Sequence, residues 1–565
     1  MPREPADERR GSPAGARLQA DPDPEPGLET APEPGSGSAL SRSAPVEPGS
    51  DGRGTWPHGP ARWRAGIDDL RARTAASVPE MVRPRRMPPA PRLVATAVHL
   101  GRAGAGWWMG ERRRGREASR TGAAQRVRRA FERLGPTYIK LGQILSAGEG
   151  LFPGELVAEF RHCRDRVPAE PFSVVRRTVE EELGAPLSVT FRSFDPVPLA
   201  AASIAQVHAA ELRDGTPVVV KVQRPRIDRL VRRDVAMMSW LAELLTGRIP
   251  VAALANPAAL VEVFAETIVE ELDFRLEAQN MLDVAAVLQG LGQRALVVPR
   301  PHPELVSRRV LVMQRLSGFA WGDTATMHAA GIDTAEALRS ALRSLLEGAM
   351  LAGVFHGDLH GGNLLVAPDG RVVLLDFGIT GRLGPTQRLA LLRMVVAATA
   401  NDVPGQVAAM RDLGALPAEV DVASVISDLG LDRPPIDPAA MDIEELTAEV
   451  RALASALLGY GARLPKALML FVKNLLFLDG ALAVMAPDMD ILAEIAGLAT
   501  WFHERHGAAI ARDLGIELGT APVVDLDAVR ASLGLSDETP GFTVRELQER
   551  RALMRRRLAR HRGGR

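Results

Sequence analysis

The spacing of apolar residues changes period along the chain, and the changes divide it. From 63 to about 133, and on to 183 with breaks at Pro136, Pro153, Pro168 and Pro171, apolar residues recur at helical spacing. Between 191 and 222 short β-branched runs take over, at 193–198, 206–212 and 217–222, and Arg213-Asp214-Gly215 joins the last two as a hairpin. A second hairpin is predicted from 364–366 and 371–375, around Pro368-Asp369-Gly370. Apart from a strand-like 309–314, the pattern from 228 to 507 is helical, and no repeat period is visible. The segments expected are a leader (1–62), a helical extension (63–185), a small sheet-containing lobe (186–316), a larger helical lobe (317–507) and a polar, arginine-rich tail (508–565).

Composition sharpens this division. Residues 1–60 hold 12 prolines and 9 glycines among Asp, Glu, Ser and Ala, too little apolar surface to offset the entropy of ordering, so the leader is expected to be disordered. The 69 basic and 69 acidic side chains cancel, which removes any global attraction to nucleic acid and leaves only local patches. One such patch follows Trp107 and Trp108, where 111–133 carries nine arginines against three glutamates. It fits a helix resting on anionic headgroups, and equally a solvated helix face whose tryptophans pack on the core. The lone Cys163 allows neither an internal disulfide nor a cysteine zinc cage, and residues 1–10 lack a signal-peptide core, so a reducing cytoplasmic setting is expected. The most apolar run, 464–485, is interrupted by Lys466, Lys473 and Asp479, which argues against a membrane span.

The basic count hides a bias. Lysine occurs at only four positions, Lys140, Lys221, Lys466 and Lys473, and every other basic side chain is arginine. A surviving lysine therefore marks a place where a compact ammonium is needed and a wide planar guanidinium does not fit.

Four elements fall in an order that makes sense as one site. Val218-Val219-Val220-Lys221-Val222 puts a cation in the middle of a buried strand, where it needs a carboxylate, a phosphate or both. The plain alternative is a lysine at a strand end reaching to water. The acidic stretch 270–277 reads as helix, which stacks Asp273 and Glu277 a turn apart and points Glu271 elsewhere. All three are candidates to meet the lysines, although alone the stretch would suggest a solvated acidic face. His356-Gly357-Asp358-Leu359-His360-Gly361-Gly362-Asn363 lies directly before the second hairpin, and Asp376-Phe377-Gly378 directly after it. An aspartate, four residues, an asparagine, a hairpin and Asp-Phe-Gly is the layout of a kinase catalytic and metal loop. Asp358 would orient or deprotonate an acceptor, while Asn363 and Asp376 would offer hard oxygen ligands to magnesium on the nucleotide phosphates. A metal pair of His356 and His360 is the rival reading, disfavoured because Gly357, Gly361 and Gly362 oppose the helix that spacing requires. No Gly-Lys dipeptide exists for a Walker-type loop, and Gly104-Ala105-Gly106 does not complete a dinucleotide fingerprint.

Taken together, these residues resemble the AarF/UbiB atypical kinases, the ABC1 group associated with ubiquinone and isoprenoid-lipid metabolism. The resemblance runs over roughly 134–487 and rests on Lys140-Leu141-Gly142-Gln143, the alanine-rich loop from Ala200 to His208, Glu271-Leu272-Asp273, and the two aspartate motifs. Gln314 stands where a glutamate is usual before the hinge, and Gly357, Leu359 and Gly361 stand where Ala, Pro and Pro are frequent. The resemblance implies an α+β, protein-kinase-like two-lobe fold with a helical N-terminal extension. It also implies ATP and Mg2+ as cofactors, with Asp358, Lys221 and Glu277 catalytic and Asn363 and Asp376 on the metal. Ala200, Ala201, Ala202, Ser203, Lys221 and Met313 are implied around the nucleotide, and Lys140, Gln143, Glu271 and Asp273 on a lid that folds over the site. Lys140 is expected to reach Glu271, and Lys221 to pair with Glu277. The β-carbons of Ala200 to Ala202 would hold the backbone farther from phosphates than glycines do. An atypical kinase or ATPase follows, linked to isoprenoid-lipid or quinone metabolism, with a lipid or quinone precursor as partner and peripheral contact with anionic membrane favoured. Two alternatives stay open: a small-molecule phosphotransferase, which shares His-Gly-Asp-Leu-His but would not need Lys140 to Gln143, and a nucleotide-switched pseudokinase, which would keep every motif.

Overall fold

The computed structural model describes residues 61–83, 90–113, 115–146, 154–160, 162, 168–245, 257–399, 402–431, 456, 459–462, 465–515, 526–532, 535 and 541–563. The expected leader and Cys163 lie outside these, save for Ala61 and Arg62.

A strand with valines on both faces belongs in the centre of a sheet, and that is where the chain puts it. Strands β1 (Phe191–Ala201), β2 (Ala205–Leu212) and β3 (Pro217–Gln223) precede β4 (Leu296–Val297), β5 (Pro301–Val306) and β6 (Val310–Gln314). Five of them form an antiparallel sheet in the order β1-β2-β3-β6-β5. Gly215, at φ +88°, turns the predicted hairpin between β2 and β3. Period 2 then splits β3: Val218, Val220 and Val222 join Val175 and Val179 behind the sheet, while Val219 faces the cleft side with Leu311 and Met313. Lys221, on the same parity as Val219, is thereby aimed at the cleft.

The second sheet is small. β7 (Phe319–Ala320), β8 (Val354–His356), β9 (Leu364–Val366), β10 (Val372–Leu374) and β11 (Thr380–Arg382) give a four-stranded sheet, β4-β10-β9-β7, and a β11-β8 pair. The hairpin of β9 and β10 is the predicted one, with Gly370 at φ +83°. The helical pattern read over 228–507 is thus interrupted at β4, β5, β7, β8 and β11. Four of these are two or three residues long, too short to show a period. β5 carries Pro301 and Pro303, which its place at the sheet edge tolerates because a missing N–H there does no harm.

Helices α1 (Ile67–Ala76), α2 (Val78–Val82), α3 (Ala90–Gly110), α4 (Arg116–Leu134), α5 (Pro136–Ser146) and α6 (Gly154–Phe160) build the extension, and α7 (Phe172–Leu183) and α8 (Leu187–Thr190) lead into β1. Between the strands of the first sheet lie α9 (Ile227–Leu245), α10 (Pro257–Glu270) and α11 (Phe274–Gly290). The extension does not stand apart. Tyr138, Leu141 and Leu145 of α5 share one core with Val231 and Val235 of α9 and Phe264 and Ile268 of α10. Lifting α5 away would expose those three side chains at ~1.5–3 kcal/mol each, so α5 stays seated.

The larger lobe comprises α12 (Thr324–Ala329), α13 (Thr334–Glu347), a π-helical turn at Gly348–Ala352, α14 (Pro385–Thr399), α15 (Val403–Asp412), α16 (Val422–Asp428), α17 (Lys466–Met485), α18 (Ile491–Leu514), α19 (Leu526–Ser532) and α20 (Val544–Gly563). The last two helices fall in the stretch expected to be a polar tail, and α18 itself runs past 507. Thr543 bridges Asp490, Phe542 and Val544 are buried, and Arg551 pairs with Asp479 of α17 at 2.7 Å. Arginine-rich composition hid this helix, whose buried apolar anchors among the described residues are Phe542 and Val544 at its start.

Candidate active site

Lys221 is the centre of the site. Its ammonium donates to Oε1 of Glu277 at 2.7 Å and to Oδ1 of Asp376 at 3.1 Å, joining β3, α11 and the segment after the hairpin. The three residues are 56 and 155 positions apart, so the fold alone brings them together. Burial opposes the charge on Lys221, but Asp376 and Glu277 outweigh it and hold the ammonium protonated well above its ordinary range.

The acidic stretch departs from the single helix expected. Helix α10 ends at Glu270, Leu272 turns back onto Val269, and Asp273 caps α11 by accepting from the Arg275 amide at 3.1 Å. That turn separates the carboxylates. Glu277 faces Lys221, Glu271 faces Lys140 at 2.9 Å, and Asp273 meets no lysine but chelates the Arg275 guanidinium at 2.9 and 2.7 Å. A capping aspartate is built into the helix start, which removes it from the cleft.

Across the cleft, Asp358 is ringed by basic side chains from three elements. Lys473 of α17 bonds Oδ1, while Lys140 of α5 and His360 each lie 3.9 Å from Oδ2. Burial disfavours its charge, yet Lys473, then His360 and Lys140, hold the carboxyl far below the usual carboxylate range. The loop around it is fixed by side chains. His356 Nδ1 accepts from the Asp358 amide at 3.1 Å, so its Nε2–H donates to the Leu375 carbonyl at 3.0 Å, and the ring is a neutral strut rather than a metal ligand. Asn474 of α17 accepts from the Leu359 amide at 2.9 Å and donates to the His356 carbonyl. Gly357 has a local reason: a Cβ there would lie 2.8 Å from Ile379 Cγ2.

Asn363 donates through its amide nitrogen to the Asp358 carbonyl at 3.0 Å, which leaves its side-chain oxygen available. Asp376 sits at φ +53°, one of two non-glycine residues in the left-handed region among the described residues. About half of its side chain, 45%, opens to the cleft. Burial again works against its charge, but Lys221, Lys140 and the Gly378 amide bring the carboxyl down to about 2. Glu277 goes the other way, pushed up to about 7 by burial, with Lys221 opposing and Asp376 adding to the rise. Glu271 is raised for the same reason. Four carboxylates thus face the three ammoniums of Lys140, Lys221 and Lys473.

The alanine loop closes the opposite wall. Ala200 and Ala201 end β1, paired with Val207 and Gln206. The Ala202 amide is spent on the Ala205 carbonyl at 2.8 Å, and the Ala202 carbonyl is held by Arg224 Nε at 3.0 Å. Ser203 is buried, and Ile204 plugs into the same core as Leu141 and Leu145 of α5. Met313 is buried opposite Val219 on β6, and Gln143 lies half-buried one turn beyond Lys140. The residues that sequence reasoning missed are Lys473 and Asn474. The scarcity of lysine pointed to the first, since even Lys466 binds an acid at the rim, Glu270, at 3.0 Å.

Residues 162–410 match the ABC1 atypical kinase-like domain. An uncharacterized protein of Mycobacterium tuberculosis is 36% identical over 376 residues, 64% of this chain and 75% of the relative. An uncharacterized aarF domain-containing protein kinase of Arabidopsis thaliana is 31% identical over 65% of this chain and 73% of the relative. A probable protein kinase UbiB of Marinobacter nauticus is 30% identical over 68% and 70%, respectively. A solved Mycobacterium tuberculosis protein in complex with erythromycin aligns over 59% of this chain and 87% of its own, at 24% identity and a TM-score of 0.36. With its kinase-like site assembled from Lys221, Glu277, Asp358 and Asp376, the chain belongs to the ABC1 (AarF/UbiB) atypical kinase-like family.

Proposed function

We propose that this chain binds Mg-ATP and acts as an atypical kinase or ATPase whose acceptor is a small lipid or quinone precursor. The observation that carries the reading is Lys221, bonded at once to the helix carboxylate Glu277 and to Asp376. Relatives named as probable protein kinases support the same class. Among the described residues no group of three or more His, Cys, Asp or Glu gathers as a metal site. Asp376 and the free oxygen of Asn363 nevertheless offer the hard donors that magnesium prefers, and phosphate oxygens and water would complete its shell. Held by Asp376 and Asn363, magnesium would supply positive charge to offset that of the phosphates. Lys221 would meet the phosphates from the base of the cleft, and Asp358 would receive the acceptor hydroxyl. A small acceptor is favoured because α5, seated on its core, brings Lys140 to 3.9 Å from Asp358 and covers the approach a peptide would need.

Mg-ATP is expected to raise the melting temperature, since a ligand that binds only the folded chain stabilises it by mass action. Asp376→Asn should remove most of that rise in a thermal-shift titration. An undiminished rise would strike Asp376 from the metal site.

We extend the reading to a cytoplasmic protein that touches anionic membrane through α3. Among the described residues one helix, α17, is long and apolar enough to cross a membrane, but its Lys473 and Asn474 grip the loop around Asp358. The outer face of α3 is different: Val94, Val98, Trp108 and Met109 are exposed, the last at 81%. Trp107 instead packs inward, donating to the Ser119 carbonyl at 3.0 Å, and Arg126 and Arg128 are occupied by glutamates. Arg112 stacks on Trp108 at 3.7 Å, so cation and ring are presented together. Cosedimentation with anionic vesicles should be strong at low salt, weaken as salt rises, and fall when Trp108 and Met109 become serine and Arg112 and Arg113 become glutamine. Equal pelleting with neutral vesicles would remove the electrostatic argument.

A further inference from the structure

Lys473 belongs to none of the motifs that mark the site, yet it bonds the Asp358 carboxylate from 115 residues away. It comes from a helix built mostly of apolar side chains, where an inward ammonium is costly unless something uses it. The polar residues of α17 sort by what they touch. Lys466 binds Glu270, Asp479 faces outward to Arg551, and Lys473 and Asn474 together hold 356, 358 and 359. The loop itself supplies no fixed positive charge near Asp358, since His360 is its only basic member there and lies 3.9 Å from Oδ2.

We propose that Lys473 is a positioning residue for phosphoryl transfer, anchoring Oδ1 of Asp358 so that Oδ2 is the oxygen presented to the acceptor. The proposal rests on the Mg-ATP reading above. Geometry fixes the assignment of the two oxygens. Oδ1 is taken by Lys473, whereas Lys140 and His360 stand beyond hydrogen-bond distance from Oδ2, leaving it open to a hydroxyl. In the step, the acceptor oxygen bonds the γ-phosphorus, its proton passes to Oδ2, and the bond from phosphorus to the ADP oxygen breaks with its electron pair leaving on ADP. Asn474 does for the backbone what Lys473 does for the side chain, so α17 sets both the place and the rotation of Asp358.

The test compares wild type with Lys473→Ala and Lys473→Arg in steady-state ATP turnover, Mg-ATP binding and thermal melting, with and without added ethylamine. Loss of the anchor is expected to lower kcat about 10- to 100-fold while KM for ATP moves less than ~3-fold. Ethylamine should restore part of the lost kcat in Lys473→Ala and nothing in wild type, and the bulkier guanidinium should rescue poorly. An unchanged kcat in Lys473→Ala overturns the proposal. So does a loss that ethylamine leaves untouched and that tracks a fall in melting temperature, because Lys473 would then be scaffold. Wild-type Mg-ATP binding and turnover judge the functional reading separately. If wild type shows neither, the reading falls, and melting of Lys473→Ala, Asp358→Asn and the double variant still tests the pairing. Losses that simply add would disprove it.

Discussion

Lys221→Met is expected to abolish ATP turnover and to cost about 3–5 kcal/mol of stability, because it leaves the buried Glu277 and the Asp376 carboxylate facing each other without their shared cation. Lys221→Arg should fold better and still lose at least ~10-fold in turnover, about 1.4 kcal/mol, since a guanidinium is too wide to sit between the two acids. The pH dependence of the methionine variant has a definite sign. Burial already lifts Glu277 from 4.5 to about 7, and removing Lys221 takes away the charge that holds it down. A group whose folded pKa is raised stabilises the fold below its unfolded pKa and loses that contribution as pH rises. The defect should therefore be smallest at acid pH and grow as the pH climbs through 7. Circular-dichroism melts across pH and a turnover assay check both parts; wild-type turnover in Lys221→Arg would show that the scarcity of lysine carries no meaning here.

Asp358→Asn is expected to lower turnover by ~10²–10⁴-fold while Mg-ATP affinity stays within a few-fold of wild type. The amide keeps the shape of the side chain but cannot take the acceptor proton. Its neighbours His356, Asn363 and Asn474 bond the loop backbone, so the fold should persist. Isothermal titration beside the turnover assay separates the two effects. A parallel loss of nucleotide binding would mean that Asp358 holds the cleft together rather than serving the reaction.

The aspartate motifs and the strand lysine were readable because local rules determine them. A β3 run that must be central, a hairpin with Gly370 at its turn and a loop ending in Asn363 leave little freedom in where Asp358 and Asp376 stand. The acidic stretch was readable only in part. Its leucines, arginine and glutamates favour helix, and Asp273, a residue that prefers a cap to a helix interior, reads as part of one helix, although its capping sends Glu271 and Glu277 to different lysines. Lys473 was beyond reach of local pattern altogether. Its contact spans 115 residues and it sits in a long apolar run that reads as a core helix, with nothing in the run to single out Lys473 or the buried Asn474 as partners of a distant loop. The C-terminal helix was obscured for the converse reason: Phe542 and Val544 dock it, and the arginines that follow dominate its composition.

The placement of the four lysines also makes the protein unusually simple to interrogate chemically. Side-chain amines occur only at Lys140, Lys221, Lys466 and Lys473, and each is within bonding distance of an acid in or beside the cleft. Amine-selective reagents, which scatter over dozens of surface positions in an ordinary protein, would meet here only these four side chains in or beside the cleft and the terminal amine. Isotope-labelled methyl groups introduced by reductive alkylation would report from that neighbourhood with almost no background, and their spectra would follow ligand occupancy directly.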